Sequence, residues 1–122
     1  VALVREGSLL PRLSENTRHL KGGPSAPLRI DVYPARVQAG ASLERRLQFE
    51  DDGVTVNAQV IHTQQTIEIM LDAVPIPVAI RFMQRYPHAL LTELRSGKQI
   101  LVDSDGTVTA NAGRGVHLKL QR

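Results

Sequence analysis

The chain has no cysteine and no tryptophan, and its 122 residues include only two Phe and two Tyr. Without cysteine there can be no disulfide, no zinc–thiolate centre and no thiol nucleophile. That absence suits a reducing compartment, although a domain of this size can also build one core without covalent bridges. So few aromatics leave little material for a platform that stacks nucleic-acid bases. The same scarcity argues against a carbohydrate module that presents aromatic faces to sugar rings.

Long apolar runs are missing too. The most apolar stretch, Ile67 to Met83, is interrupted by Glu68, Asp72 and Arg81 and cut by Pro75 and Pro77, which makes it a poor membrane span. No signal-peptide pattern opens the chain, and no block of five like charges occurs that would mark a polyionic tail.

The chain does have a hydrophobic fraction of 42%, ordinary for a folded protein and too high for a disordered one. Its net charge of +3 is unevenly spread. Residues 1–27 carry Arg5, Arg12, Arg18 and Lys21 against Glu6 and Glu15, and the C-terminal stretch also has a basic excess that includes Arg114 and Lys119. These six cations, Arg5, Arg12, Arg18, Lys21, Arg114 and Lys119, are the candidate contacts to an anion or a partner.

Residues 1–27 are rich in breakers, with Pro11 and the run Gly22-Gly23-Pro24-Ser25-Ala26-Pro27, and no apolar period joins them. They read as an irregular, basic N-terminal arm or linker, ordered only where something holds it down. Residues 28–122 read as one β-rich globular domain. Leu28, Ile30 and Val32 alternate with polar neighbours, and so do Val54, Val56, Ala58 and Val60 after Asp52-Gly53. Alternation with period two describes half-buried strands, and Asp-Gly between two such runs is a hairpin signal. Ile67, Ile69 and Leu71 continue the meander, and Val116, Leu118 and Leu120 close it.

The stretch 78–86 fits two periods. Val78, Ala79, Phe82, Met83 and Tyr86 recur at helical spacing behind Pro77, while Val78, Ile80 and Phe82 alternate as in a strand. The helical period, following Pro77 and ending before Pro87, predicts one short helix near 78–86. The fold expected is therefore mainly β, an antiparallel sandwich or small barrel of about seven to eight short strands.

An internal echo is also visible. Tyr33-Pro34 and Asp52-Gly53 recur 53 residues later as Tyr86-Pro87 and Asp105-Gly106. Because the intervening residues match poorly, chance is the preferred explanation over a duplicated half-domain.

Catalytic and ligand motifs are weak. His19, His62, His88 and His117 show no paired metal-ligand spacing, although His62 and His117 lie near strand ends that could meet. Asp103-x-Asp105-Gly106 starts like a calcium loop, but its twelfth position is the cation Arg114 where a glutamate is needed. Gly113-Arg114-Gly115 is only Gly-x-Gly and sits between two strand patterns, with no helix N-terminus to receive a phosphate. Ser96-Gly97-Lys98 lacks the upstream glycine of a P-loop, since Thr92 stands there. No Gly-x-Ser-x-Gly elbow occurs. The paired carboxylates Asp51-Asp52 and Asp103/Asp105 fall in turns, where water keeps a carboxyl ordinary.

Arg85-Tyr86-Pro87-His88-Ala89-Leu90, with Leu101-Val102-Asp103-Ser104-Asp105-Gly106 downstream, resembles a stretch of the bacterial division protein family FtsQ/DivIB. The resemblance covers under a third of the chain. The strand patterns of the first half stand where that family's POTRA module brings helices, so it does not enter the fold expected.

The functional expectation is a non-catalytic structural or assembly subunit. It would associate with protein subunits, its own or others, through the N-terminal arm and sheet edges, with no cofactor and no metal. The alternative is a small binding module for nucleic-acid backbone or an anionic ligand. Were it an enzyme, His62, His88 and His117 would be the groups to mutate first.

Overall fold

In the computed structural model of the chain, the residues described are 6–13, 28–51, 53–74, 77–83, 90–100, 107–111 and 115–121. Among them ten strands form two sheets and no helix occurs. The four-stranded sheet has the order β1 (Leu9–Leu13), β2 (Leu28–Val32), β6 (Pro77–Phe82), β9 (Thr107–Asn111). The six-stranded sheet has the order β3 (Ser42–Asp51), β4 (Val54–Thr63), β5 (Thr66–Leu71), β10 (Val116–Gln121), β7 (Leu90–Glu93), β8 (Gln99–Ile100). The expected mainly-β, sandwich-like architecture is what the chain adopts, and among the described residues neither sheet closes into a barrel.

The alternating runs sort residues between the two faces of each sheet. On β4, Val54, Val56, Ala58, Val60 and His62 are buried while the residues between them are not. Ile67, Ile69 and Leu71 on β5 and Val116, Leu118 and Leu120 on β10 continue the same inner surface. From the other sheet Leu28, Ile30, Val32, Val78, Ile80 and Phe82 complete the core. Each layer thus buries one apolar face against the other and offers its outer face to water.

β3 and β4 are the hairpin expected from Asp52-Gly53, with Asp51 opposite Val54 and Gly53 at φ 76. Glycine reaches that left-handed conformation without a Cβ clash. The next turn is held by a side chain. Thr63 Oγ1 accepts from the amide of Thr66 at 3.0 Å and lies 2.8 Å from Thr66 Oγ1.

The short helix expected near 78–86 is not formed over its described part, because residues 77–82 are strand β6. Val78 and Phe82 satisfy either period, so Ile80 and Met83 decide. Ile80 is fully buried, whereas Met83, which a helical face would have covered, is 39% exposed. As a strand the segment also hydrogen-bonds on both edges, parallel to β2 and antiparallel to β9. The parallel pair arises because the chain visits the other sheet for β3, β4 and β5 before returning.

β1 lies inside the stretch read as an irregular arm. Leu9 opposite Val32 through Leu13 opposite Leu28 form a regular antiparallel ladder, and Leu9 is buried in the core. Residues 1–5 and 14–27 lie outside the described residues, as do the segments 84–89, 101–106 and 112–114. The 53-residue echo does not recur in the topology. β4 lies inside the six-stranded sheet against β3, while β9 is an edge of the other sheet against β6.

Candidate functional sites

Two surfaces and one strand edge gather the polar side chains. The first surface is the outer face of the four-stranded sheet. Asp31, on β2, has no solvent exposure although it points away from the core, because arginines lie over it. Arg12 of β1 donates from Nε to Asp31 Oδ2 at 2.7 Å. Arg29 Nη2 reaches the same oxygen at 3.3 Å. Arg29 Nε lies 2.8 Å from Oδ1 without hydrogen-bond alignment, so this contact is an ion pair only.

On β6, Arg81 stands opposite Asp31 in the parallel register. Hydrogen bonding to the Tyr33 side chain, then to Asp31, raises the Arg12 guanidinium above its ordinary value. Two arginines thus contact one aspartate, and a third, Arg81, stands opposite it on the next strand, a surplus of positive charge.

The second surface is the outer face of the six-stranded sheet. Here β3, β4 and β5 form a shallow open concavity of about 420 Å³, lined by Arg46, Gln48, Asn57, Gln59, Met70 and Asp72 among others. One cation, one anion and three amides make it polar and close to neutral. Beside it His117 Nε2 and Glu68 Oε1 form a short contact between β10 and β5. Lys119 on β10 stands opposite Glu68 on one side and Thr92 on the other.

The edge is that of β3. Among the described residues this ten-residue strand pairs with β4 on one side and with no strand on the other. Its inward Leu47 and Phe49 pack against the core but stay only partly buried. Arg46 Nε binds Glu44 Oε1 on the same strand at 2.9 Å. The Nε of Arg45 is buried and has no hydrogen-bond partner among the described residues.

The sequence-read candidates distribute unevenly over these features. Arg12 and Lys119 are described, and they lie on the outer faces of different sheets. Arg5, Arg18, Lys21 and Arg114 lie outside the described residues. His62 and His117 do not meet. His62 is fully buried between the layers, and its Nε2 donates to the carbonyl of Gly7 at 2.9 Å, while His117 faces outward. His62 therefore tethers the segment leading into β1. His19 and His88 lie outside the described residues.

Among the described residues no three His, Asp or Glu side chains stand close enough to hold a metal ion. No helix long and apolar enough to cross a membrane occurs among the described residues. Sequence reasoning passed over Asp31 and the β3 edge. Asp31 looks like the polar half of an alternating strand, and an edge is defined only by strand order.

No family model matches the chain, and no curated protein matches it in sequence. The fold does have counterparts among solved structures. A GH31 dextranase of Flavobacterium johnsoniae, as a mutant complexed with isomaltotriose, superposes with a TM-score of 0.56 and 9% identity over 98% of this chain. The same enzyme complexed with glucose gives a TM-score of 0.56 and 9% identity. This chain spans only 19% of the dextranase chain. The likeness is one of architecture, a sandwich of two β-sheets that also occurs as a portion of a far longer polypeptide.

Proposed function

We propose that the chain is a non-catalytic assembly module that associates with protein neighbours through its sheet edges. The observation that carries this reading is the outer edge of β3, which pairs with no strand among the described residues, is ten residues long and has no proline or glycine. An open edge presents a row of unpaired amides and carbonyls to any strand that can align with it.

Light scattering at low and high salt tests it, comparing the chain with a Gln48→Pro variant whose β3 edge lacks a donor. A discrete oligomer that the variant loses supports an edge-mediated assembly. A clean monomer at both salts, unchanged by the variant, sinks the reading.

The face built by Arg12, Arg29 and Arg81 around Asp31 favours a second reading, a module for an anionic ligand. Titration with inorganic phosphate and with a short oligonucleotide would then show binding that weakens steeply with salt. Absence of binding, or binding indifferent to salt, removes it.

A further inference from the structure

Resting on the assembly reading, we propose that the partner of β3 is a second copy of this chain, paired antiparallel about a two-fold axis at Gln48. Among the described residues the two sheets end in four edge strands, β1, β9, β3 and β8. β1 carries Pro11, which lacks an amide donor, and β8 has only two residues. β9 has five residues, half the length of β3. β3 is thus the longest edge and one with every donor in place.

Register follows from parity and charge. In a two-fold antiparallel pair, opposite residues must share a face and a hydrogen-bonding direction, so their numbers sum to an even value. Four such registers pair seven or more residues of Ser42–Asp51. Those with the axis at Arg45 or Arg46 place that arginine against itself, and that with the axis at Leu47 places Glu44 against Glu50. The axis at Gln48 has no like-charge pair.

In that register Arg46 stands opposite Glu50, Arg45 opposite Asp51, Leu47 opposite Phe49, and Gln48 opposite itself. Every one of these pairs except the central one occurs twice. The partly buried Leu47 and Phe49 then stand opposite each other beside the axis, and Arg45, whose buried Nε has no partner among the described residues, stands opposite residue 51. Arg46 and Gln48 also line the polar concavity, so pairing brings the two concavities side by side on one continuous sheet.

The test uses the chain itself, which has no cysteine of its own. Opposed Cα atoms in an antiparallel pair are about 4.5–5.5 Å apart, inside the range a disulfide spans. Gln48→Cys should therefore oxidise to a covalent dimer, while Gln59→Cys, on the neighbouring strand, should not.

In sedimentation equilibrium, Arg46→Glu should weaken dimerisation at least about tenfold, and Arg46→Glu combined with Glu50→Arg should restore it. Circular dichroism on each variant separates loss of pairing from loss of fold. A folded double variant that fails to regain the dimer overturns the proposal, as does a monomeric parent chain. An oligomer that ignores the charge swap and gives no Gln48 crosslink removes this register but leaves the assembly reading standing. A monomeric parent removes both.

Discussion

The Nε of Arg12 donates to Oδ2 of Asp31 at 2.7 Å, joining an edge strand to a carboxylate that has no solvent exposure. A buried carboxylate is tolerated only where cations and donors replace its water. Here Arg12 and Arg29 supply them, and the proline-bearing edge strand is fastened to β2 by a charge as well as by its ladder.

Asp31→Ala removes the anion and leaves guanidinium groups crowded over an apolar methyl. The arginines are partly exposed and can turn to water, which limits the loss. Unfolding in urea should show a destabilisation of about 2–3 kcal/mol, the range for a hydrogen-bonded buried charge. A midpoint equal to that of the parent chain would show that the carboxylate contributes nothing to stability.

Gly7 and His62 should behave as one unit. Gly7 has φ +76, and a Cβ there would lie 2.8 Å from Leu43 Cδ2 and 3.1 Å from the His62 ring. Gly7→Ala is expected to cost about 2 kcal/mol from backbone strain and crowding together. His62→Ala leaves the Gly7 carbonyl without its buried donor, about 1–3 kcal/mol. In the double variant the smaller side chain removes the crowding against the His62 ring but not that against Leu43, so the costs should fall short of additivity by about 0.5 kcal/mol. Strict additivity in a double-mutant cycle would contradict the contact.

Neighbours on β10 should respond oppositely. Leu118 is 1% exposed and faces the other sheet, so Leu118→Ala should cost about 3 kcal/mol through lost burial and an unfilled cavity. Lys119 points to the outer face, and Lys119→Ala should stay within about 0.5 kcal/mol. Comparable losses at both positions in thermal unfolding would mean that β10 does not have one face inward.

The β4–β5 turn offers a test confined to one hydroxyl. Thr63→Val keeps the shape and deletes the acceptor used by the Thr66 amide. The expected loss is about 1 kcal/mol, with faster amide exchange at Thr66. Unchanged exchange there would show that the turn holds without it.

The sequence by itself determined the strands whose alternation is unbroken, Leu28–Val32, Val54–Val60, Ile67–Leu71 and Val116–Leu120, because a period of two has one physical outcome when half the residues must avoid water. It also determined the hairpin at Gly53, since few residues other than glycine follow a turn of that curvature without strain. Tertiary structure decided what local pattern leaves open. At 78–82 both periods fit, and the free positions on either side of β6, filled by β2 and β9, selected the strand. Leu9–Leu13 has no signal of its own and becomes a strand because β2 offers an open edge to it. Asp31 is buried because residues from two strands bring their arginines over it, and β3 is an edge only because of the order in which the strands assemble. Burial and strand order are properties of pairs of distant residues, and a single segment does not encode them.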